Sequence, residues 1–184
     1  WQDFKKMDYI RGEVKYHKYR ERGFSTPTRK LELVSTVLEK MGYDPLPRHR
    51  EPPESPVSTP EVHREYPYIL ITGVRQPGFF HSENRQVRWL RELHRDPEVE
   101  IHPDAARKEG IREGDWVILE TRRGRVRQKA RLTPGIDPRV VSAQHAWWFP
   151  EKADPGHGWD ESNVNLLTED DLEGMDPAMG ASNL

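Results

Sequence analysis

Few side chains in this sequence are equipped for covalent chemistry. There is no cysteine. Disulfides, thiolate metal sites, iron–sulfur ligation and a cysteine nucleophile are therefore excluded for this chain. The eight histidines are scattered, with no i, i+4 pair and no closely spaced metal-ligand set. No serine stands in a nucleophile elbow, and no glycine-rich phosphate loop of the NTPase type is present. Three groups of residues carry side chains suited to binding, although on the residues alone each is more simply structural. Thr72, Gly73 and Arg75 combine a hydroxyl, a backbone that an anion can approach closely, and a guanidinium fork that matches phosphate oxygens. Phe79 and Phe80 offer flat walls, and His81 and Ser82 precede a helical pattern whose free N–H groups favour anions. His145 with Trp147 and Trp148 forms an aromatic cluster, followed by Asn163 and Asn165, whose amides both donate and accept. Each feature has a plainer reading as a turn, a cap, a core aromatic pair or a loop asparagine bonding its own backbone.

The elements that must position these residues follow from pattern. Residues 1–30 mix Lys, Arg and Tyr without a period and read as an arm. Leu31, Leu33 and Val34 suggest a short strand. Ser35 is placed to cap a helix over Thr36–Met41, which Gly42 ends. Pro45, Pro47, Pro52, Pro53, Pro56 and Pro60 forbid helix interior and central strand, so this connector should run extended. Tyr68–Thr72 is an apolar run typical of a buried strand, broken by Gly73. Ser82 or Asn84 can cap a helix carrying Val87, Leu90 and Leu93. Val99–Ile101 reads as a strand, and Pro103, Asp104 and Gly110 bracket a helix. Trp116–Thr121 and Arg125–Leu132 form a hairpin around Arg123-Gly124. In the second hairpin strand Val126, Ala130 and Leu132 alternate with Arg125, Arg127, Lys129 and Arg131, which puts four cations on one face. Arg139–Ala143 is a last strand, and residues 150–184 read as loop. Short strands with short helices between them suggest a small barrel.

Composition narrows the function. Hydrophobic residues make up 34% and charged residues 33% of the 184-residue chain, which implies a modest core. The net charge of −2 excludes a generally basic nucleic-acid binder. From Glu151 onward there are nine acidic residues and one basic residue, which leaves +6 on residues 1–150. A basic body with an acidic tail is either self-complementary or fitted to two partner surfaces. No apolar stretch approaches the ~18 residues that span a bilayer. The first residue is Trp1, and the chain reads as a piece of a longer protein.

Four segments, in order, resemble the C-terminal region of molybdopterin-dependent oxidoreductases of the dimethyl sulfoxide reductase family. They are Phe24-Ser25-Thr26-Pro27-Thr28 with Leu31-Glu32-Leu33; Ile71-Thr72-Gly73-Val74-Arg75 with Phe80-His81-Ser82; Val99–Pro103 through Gly110-Ile111 to Gly114-Asp115-Trp116-Val117; and His145–Pro150 with Ser162-Asn163-Val164-Asn165. The sequence departs from the family pattern at Arg29 and Ala146, where glycine is common, and at Val74, where some members have arginine.

The resemblance implies a mainly β fold with short helices, the double-psi β-barrel of the aspartate decarboxylase type, lacking the last strand into which relatives continue. It implies residues 1–60 as an N-terminal arm and proline-rich connector from the preceding domain. Residues 61–184 are then a molybdopterin dinucleotide-binding barrel with an acidic C-terminal loop region. The cofactor implied is molybdopterin guanine dinucleotide carrying molybdenum or tungsten. Its contacts would be Thr72, Gly73, Arg75, Phe80, His81, Ser82, His145, Trp147, Asn163 and Asn165. No catalytic or metal-ligating residue is expected in this chain, so the isolated piece is expected to be inactive. The metal ligand and any iron–sulfur cluster would belong to the remaining domains of the same subunit, with an iron–sulfur electron-transfer subunit as a further partner. No nucleic acid and no membrane insertion are implied, and the residues do not distinguish a cytoplasmic from a periplasmic site. A competing reading from another class is a double-psi barrel that serves as a protein-interaction module without cofactor. A third, single-strand nucleic-acid binding by the Arg125–Arg131 face, is opposed by the charge balance.

Overall fold

A computed structural model of the chain describes residues 1–6, 12, 14–46, 48–49, 51–74, 76–153, 155–169, 171 and 175. The chain divides into two compact units, Trp1–His49 and Arg50–Leu184.

The first unit holds two short helices, α1 (Tyr19–Arg22) and α2 (Thr36–Lys40). As the sequence predicts, the Ser35 side chain caps α2 by accepting from the Leu38 N–H, and Gly42 follows at φ 83°. The strand expected at Leu31–Val34 is absent. A strand needs a partner ladder, and this segment instead bends around the Glu32 carboxylate. That group accepts from the backbone and hydroxyl of Thr28 (3.2 and 2.7 Å) and of Thr36 (3.1 and 2.9 Å).

The second unit opens with α3 (Pro60–Glu65), started by its proline at the first turn. Five strands follow: β1 (Ile69–Val74), β2 (Glu98–Ile101), β3 (Trp116–Glu120), β4 (Arg125–Leu132) and β5 (Val140–Gln144). Between them lie α4 (Arg88–Leu93) and α5 (Pro103–Glu109), and α6 (Trp159–Ser162) with a 3-10 turn at Val164–Leu166 comes after. The sheet order is β1-β5-β2-β4-β3. β1 runs parallel to β5, β5 antiparallel to β2, β2 parallel to β4, and β4 antiparallel to β3.

This order corrects the expected fold. β1 and β3 each have one neighbour and do not pair with each other, so the sheet is an open, curled half-barrel and not a closed double-psi barrel. Nor is the domain mainly β: among the described residues helix and strand contribute similarly, which makes it a small mixed α/β domain. The five strands fall where their patterns predict them, but closure depends on pairing between distant edges, which alternation within a strand does not encode.

Smaller differences have local causes. Gly73 lies inside β1, because a register shift between Ile71 and Val74 absorbs the break as a bulge. Neither Ser82 nor Asn84 caps α4; its N-cap is Val87, without a side-chain bond. By contrast α5 starts at Pro103 with Asp104 in its first turn and ends on Gly110 at φ 72°, as its sequence dictates.

The apolar interior has two parts. Val99, Ile101, Ala105, Ala106, Ala130, Ala143 and Val164 form the main core between the sheet, α5 and the tail. Phe79, Trp147 and Phe149 form a second cluster beside Leu90. The four cations of β4 do line one face, but three of them are engaged. Arg127 pairs with Glu161, Lys129 with Asp96, and Arg131 with Glu100. Tail acids thus fold back on the basic body. Glu161 also binds Lys152, Glu169 binds Arg123, and Glu151 binds Arg91. Among the described residues no helix is long and apolar enough to cross a membrane.

Candidate functional site

β1 and β5 are parallel neighbours, and their C-terminal ends lie side by side, with Val74 opposite Gln144. Carboxyl ends of parallel strands are where open α/β sheets characteristically receive ligands. Three segments leave from or meet at this edge: the loop after β1, the His145–Phe149 segment after β5, and the turn that follows α6.

The first two segments lock together. His81 Nδ1 and His145 Nε2 stand 3.2 Å apart, so one ring nitrogen donates its proton to the other. The two rings meet edge to face at 5.3 Å, and Phe80 packs edgewise on His81 at 4.5 Å. Trp148 Nε1–H donates to the Ser82 carbonyl at 2.7 Å. Beneath them lies Arg85, 1% exposed, donating from Nη1 to the His81 carbonyl (2.6 Å) and from Nη2 to the His145 carbonyl (3.3 Å). The guanidinium sits 5.0 Å from the Phe79 ring and 4.7 Å from the Trp147 ring. Burial, and then the neighbouring Arg91, draws its pKa down to about 10, which still leaves it charged at neutral pH.

The third segment is tied to the same edge by a buried amide network. Gln128 on β4 accepts from the Gln144 N–H (3.0 Å) and donates to the Gln144 carbonyl (2.8 Å) and the Ser162 carbonyl (3.1 Å). Ser162 Oγ–H donates to the Arg127 carbonyl at 2.8 Å. Gln144 Oε1 accepts from the Glu98 N–H, and Gln76 reaches Glu98 from the loop after β1. The residue before Asn163 and the residue before His145 therefore share one side chain, Gln128.

The predicted site residues distribute as follows. His81, Ser82, Phe80 and His145 come together at one surface. Thr72 and Gly73 lie at the β1 bulge beside the end of β5. Asn163 and Asn165 adjoin through the Gln128 network, and the Asn163 side chain caps the 3-10 turn by accepting from the Asn165 N–H (3.1 Å). Trp147 is fully enclosed between Arg85, Phe79 and Phe149, so it supports the surface from below, while Trp148 stands partly open above. Arg75 lies outside the described residues. Arg85, Gln128 and Gln144 carry much of the geometry and were not singled out by sequence. Arg85 gave no signal, since a lone arginine in a polar stretch reads as surface. Gln128 did give one: it occupies the inward phase of β4, between Val126 and Ala130, where a polar residue needs a reason.

The donor set suits an anionic ligand with flat rings. It offers imidazole N–H, a hydroxyl and amides under a buried positive charge. Gly73 adds room: a Cβ there would meet no atom within 4 Å, and its φ is not positive, so neither packing nor backbone demands glycine. A separate cavity of about 410 Å³, lined by Tyr68, Ile101, Ala105, Ile111, Ile118 and Val141 among others, shares no residue with this surface. Its lining is mainly apolar, with Glu109 among it. No cluster of three or more metal-ligating side chains occurs among the described residues.

A mixed sheet that offers paired strand ends is shared by many ligand-binding domains and does not by itself name the ligand. Comparison makes the class specific. Residues 68–182 match the "Molydopterin dinucleotide binding domain" family, and the chain belongs to it. A dopamine dehydroxylase of Eggerthella lenta is 45% identical over 166 residues, covering 88% of this chain and 16% of that protein. A dimethyl sulfoxide reductase of Escherichia coli is 31% identical over 90% of this chain and 21% of its own length. The solved structure of acetylene hydratase from Pelobacter acetylenicus superposes with a TM-score of 0.83 at 33% identity, covering all of this chain and 26% of that one. The chain thus spans about a sixth to a quarter of these relatives. It is a molybdopterin dinucleotide-binding domain related to those of the molybdenum and tungsten oxidoreductases of the dimethyl sulfoxide reductase family.

Proposed function

We propose that this chain grips one molybdopterin guanine dinucleotide in a larger molybdenum or tungsten oxidoreductase, on the surface where the loop after β1 meets the segment after β5. The observation that carries the reading is the His81–His145 contact, which joins residues 64 apart in sequence at 3.2 Å beside the ends of two parallel strands. When bound, the pterin-held metal supplies the redox chemistry, and its protein ligand comes from domains outside this chain. The residues here bind and orient. The His81 and Ser82 side chains are exposed and offer donors to phosphate oxygens. Thr72 and the open backbone at Gly73 receive a phosphate or ring edge closely. Asn163 spends its carbonyl oxygen on its own turn and keeps two N–H donors for a ring edge. Phe80, 60% exposed, supplies an apolar wall. The remaining domains, and an iron–sulfur electron-transfer subunit, are the partners this reading requires; residues 1–60 would be the arm and connector that reach them.

The test is the guanine nucleotide and metal content of the purified full-length protein. His81→Ala and Asn163→Ala should each lower both contents together. Unchanged content in both variants would remove the site.

A further inference from the structure

We propose that Arg85 is the positioning residue of this site: its guanidinium fork clasps the carbonyls of His81 and His145 and so holds two left-handed turns, and the imidazole pair they present, in place for the dinucleotide. The inference rests on the preceding reading that this pair faces the ligand.

Arg85 is 1% exposed and has no path of its own to a ligand. Among the described residues it forms no ion pair. Glu83 is the one acid that acts on it, from beyond ion-pair distance. Among the described residues its Nε–H has no partner. Its Cζ lies near the Phe79 and Trp147 rings, and Arg91 approaches Trp147 as well, at 4.9 Å, with its own charge met by Glu151. A charge enclosed in this way costs stability that a methionine in the same aromatic box would not cost. What a methionine lacks is the pair of in-plane donors.

The two carbonyls taken by that fork belong to strained backbone. His81 itself has φ 50°, and His145 immediately precedes Ala146, with φ 53°. Neither residue is glycine, and side chains other than glycine rarely hold this conformation unless the surroundings impose it. Arg85 supplies the imposition at both turns at once, from one side chain four residues along from His81. A lysine keeps the charge, but its single ammonium on a flexible stem does not reproduce the fixed fork.

The experiment uses the full-length protein with Arg85→Lys, Ala146→Gly and the two combined. Amide hydrogen exchange is followed by mass spectrometry, and bound guanine nucleotide is counted per molecule. In Arg85→Lys, exchange should rise at least tenfold in peptides covering 80–86 and 144–149 and stay unchanged in 116–132. Bound nucleotide should fall to less than a third. Adding Ala146→Gly should slow exchange in 144–149 again severalfold, because glycine holds that turn without the bond. A purely space-filling arginine would show only the slowing that Ala146→Gly also gives in the wild-type background, whereas a held turn gives a larger one in Arg85→Lys. Wild-type exchange in both loops of Arg85→Lys would overturn the proposal, and so would raised exchange with full nucleotide content. If Arg85→Lys keeps its nucleotide while His81→Ala loses it, the role of Arg85 falls and the site stands. If neither loses it and Asn163→Ala keeps it too, the site falls as well.

Discussion

Ala146 stands at φ 53° in the segment that follows His145. Replacing it with glycine should therefore stabilise this segment. An L-residue in the left-handed region costs about 1–2 kcal/mol, a cost glycine does not bear. Against this, glycine gives the unfolded chain more freedom, worth about 0.5–1 kcal/mol. The midpoints of the two ranges leave a gain of about 0.75 kcal/mol for glycine. At room temperature that slows local opening about two- to fivefold. Amide exchange in the 144–149 peptide of the full-length protein reads this directly. Ala146→Val supplies the opposite sign, since a β-branched side chain is poorly tolerated at positive φ, and should speed exchange in the same peptide. Faster exchange in the glycine variant, or no change in the valine variant, would refute the claim that the segment is held under backbone strain.

Two further expectations concern what ties the tail to the sheet. Gln128→Leu leaves the Gln144 N–H and the Gln144 and Ser162 carbonyls without their side-chain partner. At about 1–3 kcal/mol for a buried unsatisfied group, the variant should lose roughly 3 kcal/mol, seen as raised exchange across 159–167. Glu161 is held below the ordinary carboxylate range by its hydrogen bond to Lys152, helped by Arg127 at 2.6 Å. A depressed folded pKa means the contribution is complete above the unfolded value of 4.5 and is lost as pH falls through the lower folded value. Limited proteolysis of the tail should therefore quicken on acidification below about pH 4.5, and Glu161→Gln should flatten that response.

The features legible in the sequence are those set by neighbouring residues. Pro103, Asp104 and Gly110 bracket α5 because a proline at the start, an acid in the first turn and a glycine past the end act within one or two turns. Alternation in β4 sorts cations outward and Val126 and Ala130 inward, because a strand's faces repeat every two residues. Features set by distant partners did not show. Leu31 and Leu33 look like strand residues, but among the described residues no strand lies beside them, and the Glu32 carboxylate bends the segment instead. The short strands fit a barrel equally well, and only the lack of pairing between β1 and β3 reveals the open sheet. At the candidate site, His81, Ser82 and His145 stood out because of the family pattern, whereas Arg85 matters through two backbone carbonyls, and side-chain type alone says nothing of those. The tryptophan pair divides as adjacent residues must, with Trp147 turned inward and Trp148 bound to the Ser82 carbonyl.

The most direct measurement is a structure of the full-length protein purified with its cofactor. The account predicts a guanine dinucleotide lying over the ends of β1 and β5, with phosphate or ring atoms within hydrogen-bond distance of His81 or Ser82 and of the Asn163 amide. A dinucleotide seated on another face of the sheet, with the His81–His145 pair left in contact only with protein or water, would contradict it.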